Sequence, residues 1–156
     1  MQEEKFLWLR KEAKDANTLS RIEDIERDKK ILEEDGLITP KGKEFLLKLE
    51  SSNIWLSKHC APSSIDMYFE IFMENHYTEV SGFDGKDANV LLDIGTNEGY
   101  YMLRMKRANP NLKVFSVEPN PVAFRFLKKN IAANSLENIV PIRKSSLQEE
   151  ARCFFR

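Results

Sequence analysis

Apolar positions follow two rhythms along the chain, and the change falls near residue 80. Before it they recur at helical spacing. Phe6, Leu9 and Ala13 share one face of a helix predicted over residues 2–15. Leu19, Ile22, Ile25 and Leu32 predict a second helix, ending at Gly36, a natural left-handed terminator. Thr39-Pro40 reads as an N-cap with proline at the first helical position, opening a third helix that carries Phe45, Leu46 and Leu49 inward. A fourth helix begins at Ser63 with Asp66 as its capping-box partner. Its stripe of Ile65, Tyr68, Phe69, Phe72 and His76 requires an apolar neighbour, and the sheet that follows is the expected one.

Beyond a turn-rich connector, Gly82-Phe83-Asp84-Gly85-Lys86-Asp87, the runs shorten. Val90-Leu91-Leu92-Asp93-Ile94 is almost continuously apolar, as in a strand buried on both faces of a parallel sheet. A helix over residues 97–108 follows, then a second strand, Val114-Phe115-Ser116-Val117. Asn120-Pro121 opens another helix, with Val122, Phe126, Leu127 and Ile131 available for burial, and Ile139-Val140-Pro141-Ile142 is a third strand. Crossovers of this length dictate parallel pairing and a right-handed wind. The expected architecture is α/β: a helical segment over residues 1–62, then half of a doubly wound parallel sheet over 63–156.

A chain of 156 residues with net charge −1 and 31% charged side chains describes a well-hydrated globular protein. The absence of a net basic field argues against nucleic acid or a membrane as partner. No apolar run approaches the roughly 20 residues that span a bilayer, and the N-terminus lacks a basic-then-apolar leader, so the cytoplasm is the expected compartment. Cys60 and Cys153 are far apart and read as free thiols; His59 and His76 stand away from acidic clusters, and no metal site is expected.

Candidate chemistry concentrates where the first strand turns into its helix, Asp93-Ile94-Gly95-Thr96-Asn97-Glu98-Gly99. Ligands of doubly wound sheets bind beyond the carboxyl ends of the strands, at such a turn. Gly95 allows a tight reversal, Gly99 a close approach of helix to strand, and the helix N-terminus attracts a carboxylate. Asp93 can face a cationic group. Glu118, 25 residues later at the end of the second strand, can accept hydrogen bonds from both hydroxyls of a ribose. A pyrophosphate-binding turn needs a second glycine where Asn97 stands, which disfavours NAD; the Glu118 charge would repel a 2′-phosphate, which disfavours NADP. S-adenosylmethionine, with an ammonium, a carboxylate, a sulfonium and a ribose but no phosphate, matches these groups.

Val90–Gly99, Val114–Asn120 and Asn130–Asn134 together resemble the FkbM-type methyltransferases, over roughly residues 64–156. The resemblance implies a Rossmann-like methyltransferase fold with S-adenosylmethionine as cofactor. It implies that Gly95, Thr96, Asn97 and Gly99 line the methionine part with Tyr100 nearby, that Glu118 holds the ribose, and that Pro119 and Asn120 border the adenine. The implied reaction is O-methylation of a small-molecule, sugar or lipid hydroxyl. In that family the sheet continues with a fourth strand, whereas this chain ends at Arg156. The chain is therefore expected either to be part of a longer protein or to have the first strand's open edge covered by the N-terminal helices, the tail or a second copy in a homodimer. The catalytic groups are not identified.

Three other readings stand beside this one. A degenerate module could bind the cofactor without turnover, and an NAD-linked oxidoreductase is a more distant alternative. Gly36–Leu46 faintly resembles a winged-helix module in which Lys41, Lys43 and Lys48 could touch phosphates, but Glu33, Glu34, Asp35, Glu44 and Glu50 surround them.

Overall fold

A computed structural model describes residues 2–35, 44–57, 61–74, 76–77 and 84–144. Gly36, Thr39-Pro40, Lys41, Lys43, His59, Cys60, Gly82-Phe83, Cys153 and the tail from residue 145 lie outside the described residues. The chain divides into two compact units, Met1–Asp84 and Gly85–Arg156.

In the first unit, α1 (Gln2–Glu12) and α2 (Ala16–Asp35) are followed by β1 (Glu44–Lys48), β2 (Asn53–Ser57) and α3 (Ala61–Phe72). Phe6, Leu9, Ile22 and Ile25 are buried as their spacing requires. Ala13 leaves the helical path and bridges Leu49. Asp15 then caps α2, its carboxylate accepting from the Thr18 N–H at 2.7 Å.

The third helix expected from Thr39-Pro40 is not what residues 44–48 form. They are a strand, paired antiparallel with Asn53–Ser57 in the register Phe45–Leu56 and Leu47–Ile54. Leu47 and Leu49 are buried while Lys48 and Glu50 are exposed, a period of two. The apolar triplet Phe45-Leu46-Leu47 fits a helical face and a strand equally well, and pairing with the Ile54-containing strand decides between them.

Helix α3 starts at Ala61, two residues before Ser63, and Asp66 is engaged by Lys29 of α2 rather than by a capping box. Its stripe finds its apolar partners inside this unit. Phe69 meets Phe6 edge-on at 5.7 Å, Trp8 lies 6.2 Å from Tyr68, and Tyr68 stacks on Phe72 at 4.4 Å. The Tyr68 hydroxyl reaches both Ser51 Oγ (2.6 Å) and Ser52 Oγ (2.8 Å) in the hairpin turn. By packing, α3 belongs with the first compact unit, which extends to Asp84. His76 lies beyond the end of the helix, exposed, and does not extend the stripe.

The second unit runs β3 (Val90–Ile94), α4 (Tyr100–Ala108), β4 (Lys113–Val117), α5 (Pro121–Ala133) and β5 (Ile139–Ile142). The sheet has the order β3-β4-β5, all parallel. Strands in chain order with right-handed crossovers carry α4 and α5 over the same face. On β4, Val114 and Ser116 are fully buried, alongside Met102, Leu103 and Met105 of α4 and Phe126 and Leu127 of α5. The α/β expectation with parallel pairing holds, but β3 is not buried on both faces. It alternates, with Val90, Leu92 and Ile94 exposed at 57%, 61% and 55%. Both helices cover one face of the sheet, so the apolar run reads as continuous while only alternate side chains of β3 meet them; among the described residues β3 is also an edge strand.

Candidate cofactor site at the strand tips

Parallel pairing places Asp93 opposite Ser116 and Ile94 opposite Val117, so Asp93 and Glu118 stand at the same end of neighbouring strands. The turn after β3 folds back onto β4 through Gly95 N–H and Thr96 N–H, which both donate to the Val117 carbonyl (2.9 and 3.2 Å). Three residues of this turn are left-handed: Gly95 (φ 76°), Asn97 (φ 51°) and Gly99 (φ 87°). The helix expected from residue 97 therefore starts only at Tyr100, because Asn97 and Gly99 cannot hold helical angles there.

The two glycines serve different purposes. A Cβ on Gly95 would meet nothing within 4 Å, so its backbone angle alone calls for glycine and the space beside it is open. A Cβ on Gly99 would lie 2.6 Å from Leu127 Cδ1, so this glycine admits α5 rather than the strand. Gly99 is the N-cap of α4 and has no side chain with which to cap it.

The left-handed turn aims the Asn97 N–H at Glu118. Glu118 Oε2 accepts from it at 2.8 Å, and Oε1 accepts from the Asn120 N–H at 2.7 Å. This buried carboxylate is thus fixed by two backbone donors and keeps lone pairs for further hydroxyls. Asp93 Oδ2 accepts from the Thr96 hydroxyl at 2.6 Å. Burial pushes the Asp93 carboxyl above its ordinary value; the Thr96 bond works against that shift, and the nearby Glu118 charge adds to it. Two adjacent acids partly withdrawn from water form an acidic cluster suited to hydroxyl donors and a cation.

The remaining candidate residues are placed as follows. Tyr100 is buried and its hydroxyl donates to the Glu98 carboxylate. Pro119 is exposed, and the Asn120 side chain caps α5 by accepting from Val122 N–H (2.8 Å) and Ala123 N–H (3.3 Å). Sequence reasoning gave no role to Glu98 and took Asn130 only as the start of a motif, without a function in the site. Asn130, fully buried, donates from Nδ2 to the Glu98 carbonyl at 2.9 Å and so ties α5 to the turn. The signal for it was an amide on an otherwise apolar helix face, beside Phe126, Leu127 and Ile131.

Comparison with known proteins assigns this geometry to a family. A model of the TRM5/TYW2 methyltransferase domain matches residues 66–154, more than half of the chain. The chain belongs to that family. The TRM5/TYW2 domain is that of an S-adenosylmethionine-dependent methyltransferase family, in keeping with the cofactor and enzyme class expected from the turn. The assignment corrects the FkbM resemblance. Left-handed residues in the turn and an acid at the second strand tip report how a nucleoside cofactor is held, and distinct families share that requirement.

Among relatives of this TRM5/TYW2 chain, tRNA(Phe) (4-demethylwyosine(37)-C(7)) aminocarboxypropyltransferase of Methanocaldococcus jannaschii is 30% identical over 60 residues, 38% of this chain and 24% of that protein. Methyltransferase sdnD of Sordaria araneosa is 31% identical over 85 residues, 54% of this chain and 32% of that protein. The crystal structure of M. jannaschii TYW2 in complex with AdoMet is 22% identical with a TM-score of 0.47, over 69% of this chain and 46% of that one. The chain spans about a quarter to a third of the length of these two curated relatives.

The family and its tRNA-modifying relative overturn the argument against nucleic acid as a partner. That argument rested on a net charge of −1, which averages two opposite halves. Residues 1–84 hold twelve Lys and Arg against eighteen Asp and Glu; residues 85–156 hold twelve against seven. The unit that carries the site is basic. No helix of the described residues is long and apolar enough to cross a membrane.

Proposed function

We propose that this chain is the cofactor-binding part of an S-adenosylmethionine-dependent methyltransferase that acts on tRNA. The observation that carries the reading is the Glu118 carboxylate, held by the Asn97 and Asn120 N–H groups beside Asp93. Glu118 accepts the two ribose hydroxyls on its remaining lone pairs, and Pro119 and Asn120 border the adenine. Gly95, Thr96, Asn97 and Gly99 line the methionine part, whose carboxylate meets the N-terminus of α4, where Gly99 supplies no capping side chain. Asp93 faces a cationic group of the ligand. Tyr100 acts through Glu98, which its hydroxyl engages inside the turn. The donor set suits this cofactor because it offers acids to a cation and to hydroxyls.

The cofactor supplies an alkyl group on a positively charged sulfur; the chain's own residues bind, orient and desolvate it. tRNA as acceptor is supported by the family, by the name of the M. jannaschii relative and by the basic character of residues 85–156. The small-molecule, sugar or lipid hydroxyl lost its support with the FkbM resemblance. The same relative's name favours a second reaction on the same site, transfer of the aminocarboxypropyl group.

Calorimetry with S-adenosylmethionine, followed by incubation with tRNA and cofactor labelled either on the methyl or on the carboxyl carbon, tests both. Methyl label in tRNA supports the proposal, and carboxyl label supports the second reaction. Binding without transfer of either label reduces the chain to a cofactor-binding module. No binding overturns the reading.

A further inference from the structure

Ser116, one residue before the end of β4, is fully buried, and its hydroxyl has no hydrogen-bond partner among the described residues. Val114 on the same face is fully buried too, beneath the apolar residues that α4 and α5 present. An unpaired hydroxyl in such surroundings costs stability, and alanine would fill the position without that cost. The sheet register shows what stands beside it. One row across the three strands reads Asp93, Ser116, Pro141. Pro141 carries no polar side chain, so of its two neighbours in the row only Asp93 offers the hydroxyl an acceptor. Adjacent strands lie about 4.8 Å apart and registered side chains share a face, which puts the Asp93 carboxylate within reach of a Ser116 Oγ turned toward it. Thr96 holds Asp93 Oδ2 and leaves Oδ1 for a second donor.

We infer that Ser116 is a positioning residue of the cofactor site, whose hydroxyl donates to the Asp93 carboxylate when a cationic ligand holds that carboxylate ionised. The inference rests on the S-adenosylmethionine reading above and gives a use to a polar atom that the ligand-free sheet leaves orphaned. Without ligand, burial pushes Asp93 toward its neutral form; the Thr96 bond opposes this and the Glu118 charge adds to it. A neutral carboxyl attracts a hydroxyl weakly, whereas an ionised one accepts a charge-assisted bond about twice as strong. Ligand binding therefore supplies the partner, and the hydroxyl in turn steadies the charge that faces the ligand. The groups that act on Asp93 are Thr96 in its own turn and Glu118 at the tip of β4. The cations of the covering helices, Arg104, Lys106 and Arg107 on α4 and Arg125, Lys128 and Lys129 on α5, stand at least one turn along from the helix starts near the strand tips.

Calorimetry of the full chain with S-adenosylmethionine over a pH series tests this, together with thermal unfolding of the ligand-free chain. On the alkaline side of the Asp93 titration, Ser116→Ala is expected to bind roughly tenfold more weakly. The difference from the native chain should shrink as acid protonates Asp93, because the hydroxyl then has no anion to serve. A packing defect would lower affinity equally at every pH. Ser116→Cys, close in shape but a weak donor, should fall between the two. In an Asp93→Asn background Ser116→Ala should cost little further affinity. Without ligand, Ser116→Ala should unfold at the native temperature or a few degrees above it, since it removes an unpaired hydroxyl.

Native affinity in Ser116→Ala, a loss of the same size at every pH, or an undiminished loss in the Asp93→Asn background each overturns the inference and leaves cofactor binding standing. A lower unfolding temperature also overturns it, by showing that the hydroxyl is already paired in the ligand-free chain. Absence of cofactor binding by the unaltered chain removes the functional reading and this inference with it.

Discussion

The Asn97 N–H lies 2.8 Å from Glu118 Oε2, which ties the turn after β3 to the tip of β4. The carboxylate that would receive a ribose is therefore already oriented, and its second oxygen is held by the Asn120 N–H at 2.7 Å. A ligand that binds there does not have to order Glu118 first.

Glu118→Gln keeps the shape, removes the charge and turns an amide NH2 toward one of the two backbone donors. Charge-assisted hydrogen bonds contribute about 1.5–3 kcal/mol each, so affinity for S-adenosylmethionine is expected to fall by roughly ten- to a hundredfold. Calorimetry checks this. An unchanged affinity would remove Glu118 from the site.

Gly95→Ala and Gly99→Ala separate backbone strain from crowding. Both positions are left-handed, and alanine there costs about 1–2 kcal/mol. Only Gly99→Ala also drives a Cβ to 2.6 Å from Leu127 Cδ1, adding about 1–3 kcal/mol of overpacking. Urea unfolding should rank Gly99→Ala as the more destabilising. Leu127→Ala is expected to recover part of that excess in the double variant and none of the loss at Gly95.

Asn130→Ala leaves the buried Glu98 carbonyl without the bond it now accepts at 2.9 Å. An unsatisfied buried polar group costs about 1–3 kcal/mol, and the turn it anchored loosens. Lower stability to urea together with weaker cofactor binding is the expected pair of results. Loss of stability with full affinity would show that α5 supports the sheet but not the turn.

These residues show where sequence reasoning worked and where it stopped. The placement of Asp93, Gly95 and Glu118 at one end of the sheet was legible because a short apolar run ending in an acid and a glycine marks a strand tip, and parallel pairing then brings the two acids together. The start of α4 was not legible, because the left-handed angle of Asn97 depends on its bond to Glu118, 21 residues away. Residues 44–48 were misread for a related reason: only pairing with Asn53–Ser57 distinguishes a strand from a helical face there. The argument against nucleic acid failed because a net charge cannot register two oppositely charged units.

The raised pKa of Asp93 gives the site a pH signature. Burial is the main cause, opposed by the Thr96 hydroxyl and reinforced by the Glu118 charge. A folded-state pKa above the unfolded value means that the group's contribution to stability is full below the unfolded pKa. That contribution is lost as pH rises through the folded pKa, where Asp93 ionises in partial burial. Asp93→Asn should therefore raise the thermal stability of the ligand-free chain at neutral pH, and the gain should shrink as acid protonates the native carboxyl. Cofactor binding runs the other way. A cationic ligand prefers the ionised carboxylate, so affinity for S-adenosylmethionine should weaken as pH is lowered through the raised Asp93 pKa, with proton release on binding in that range. Calorimetry in buffers of different ionisation enthalpy measures that release directly. Asp93→Asn should bind the cofactor more weakly at neutral pH and lose the Asp93-linked proton release. If the variant keeps both the affinity and the proton release of the native chain, the cation does not lie against Asp93.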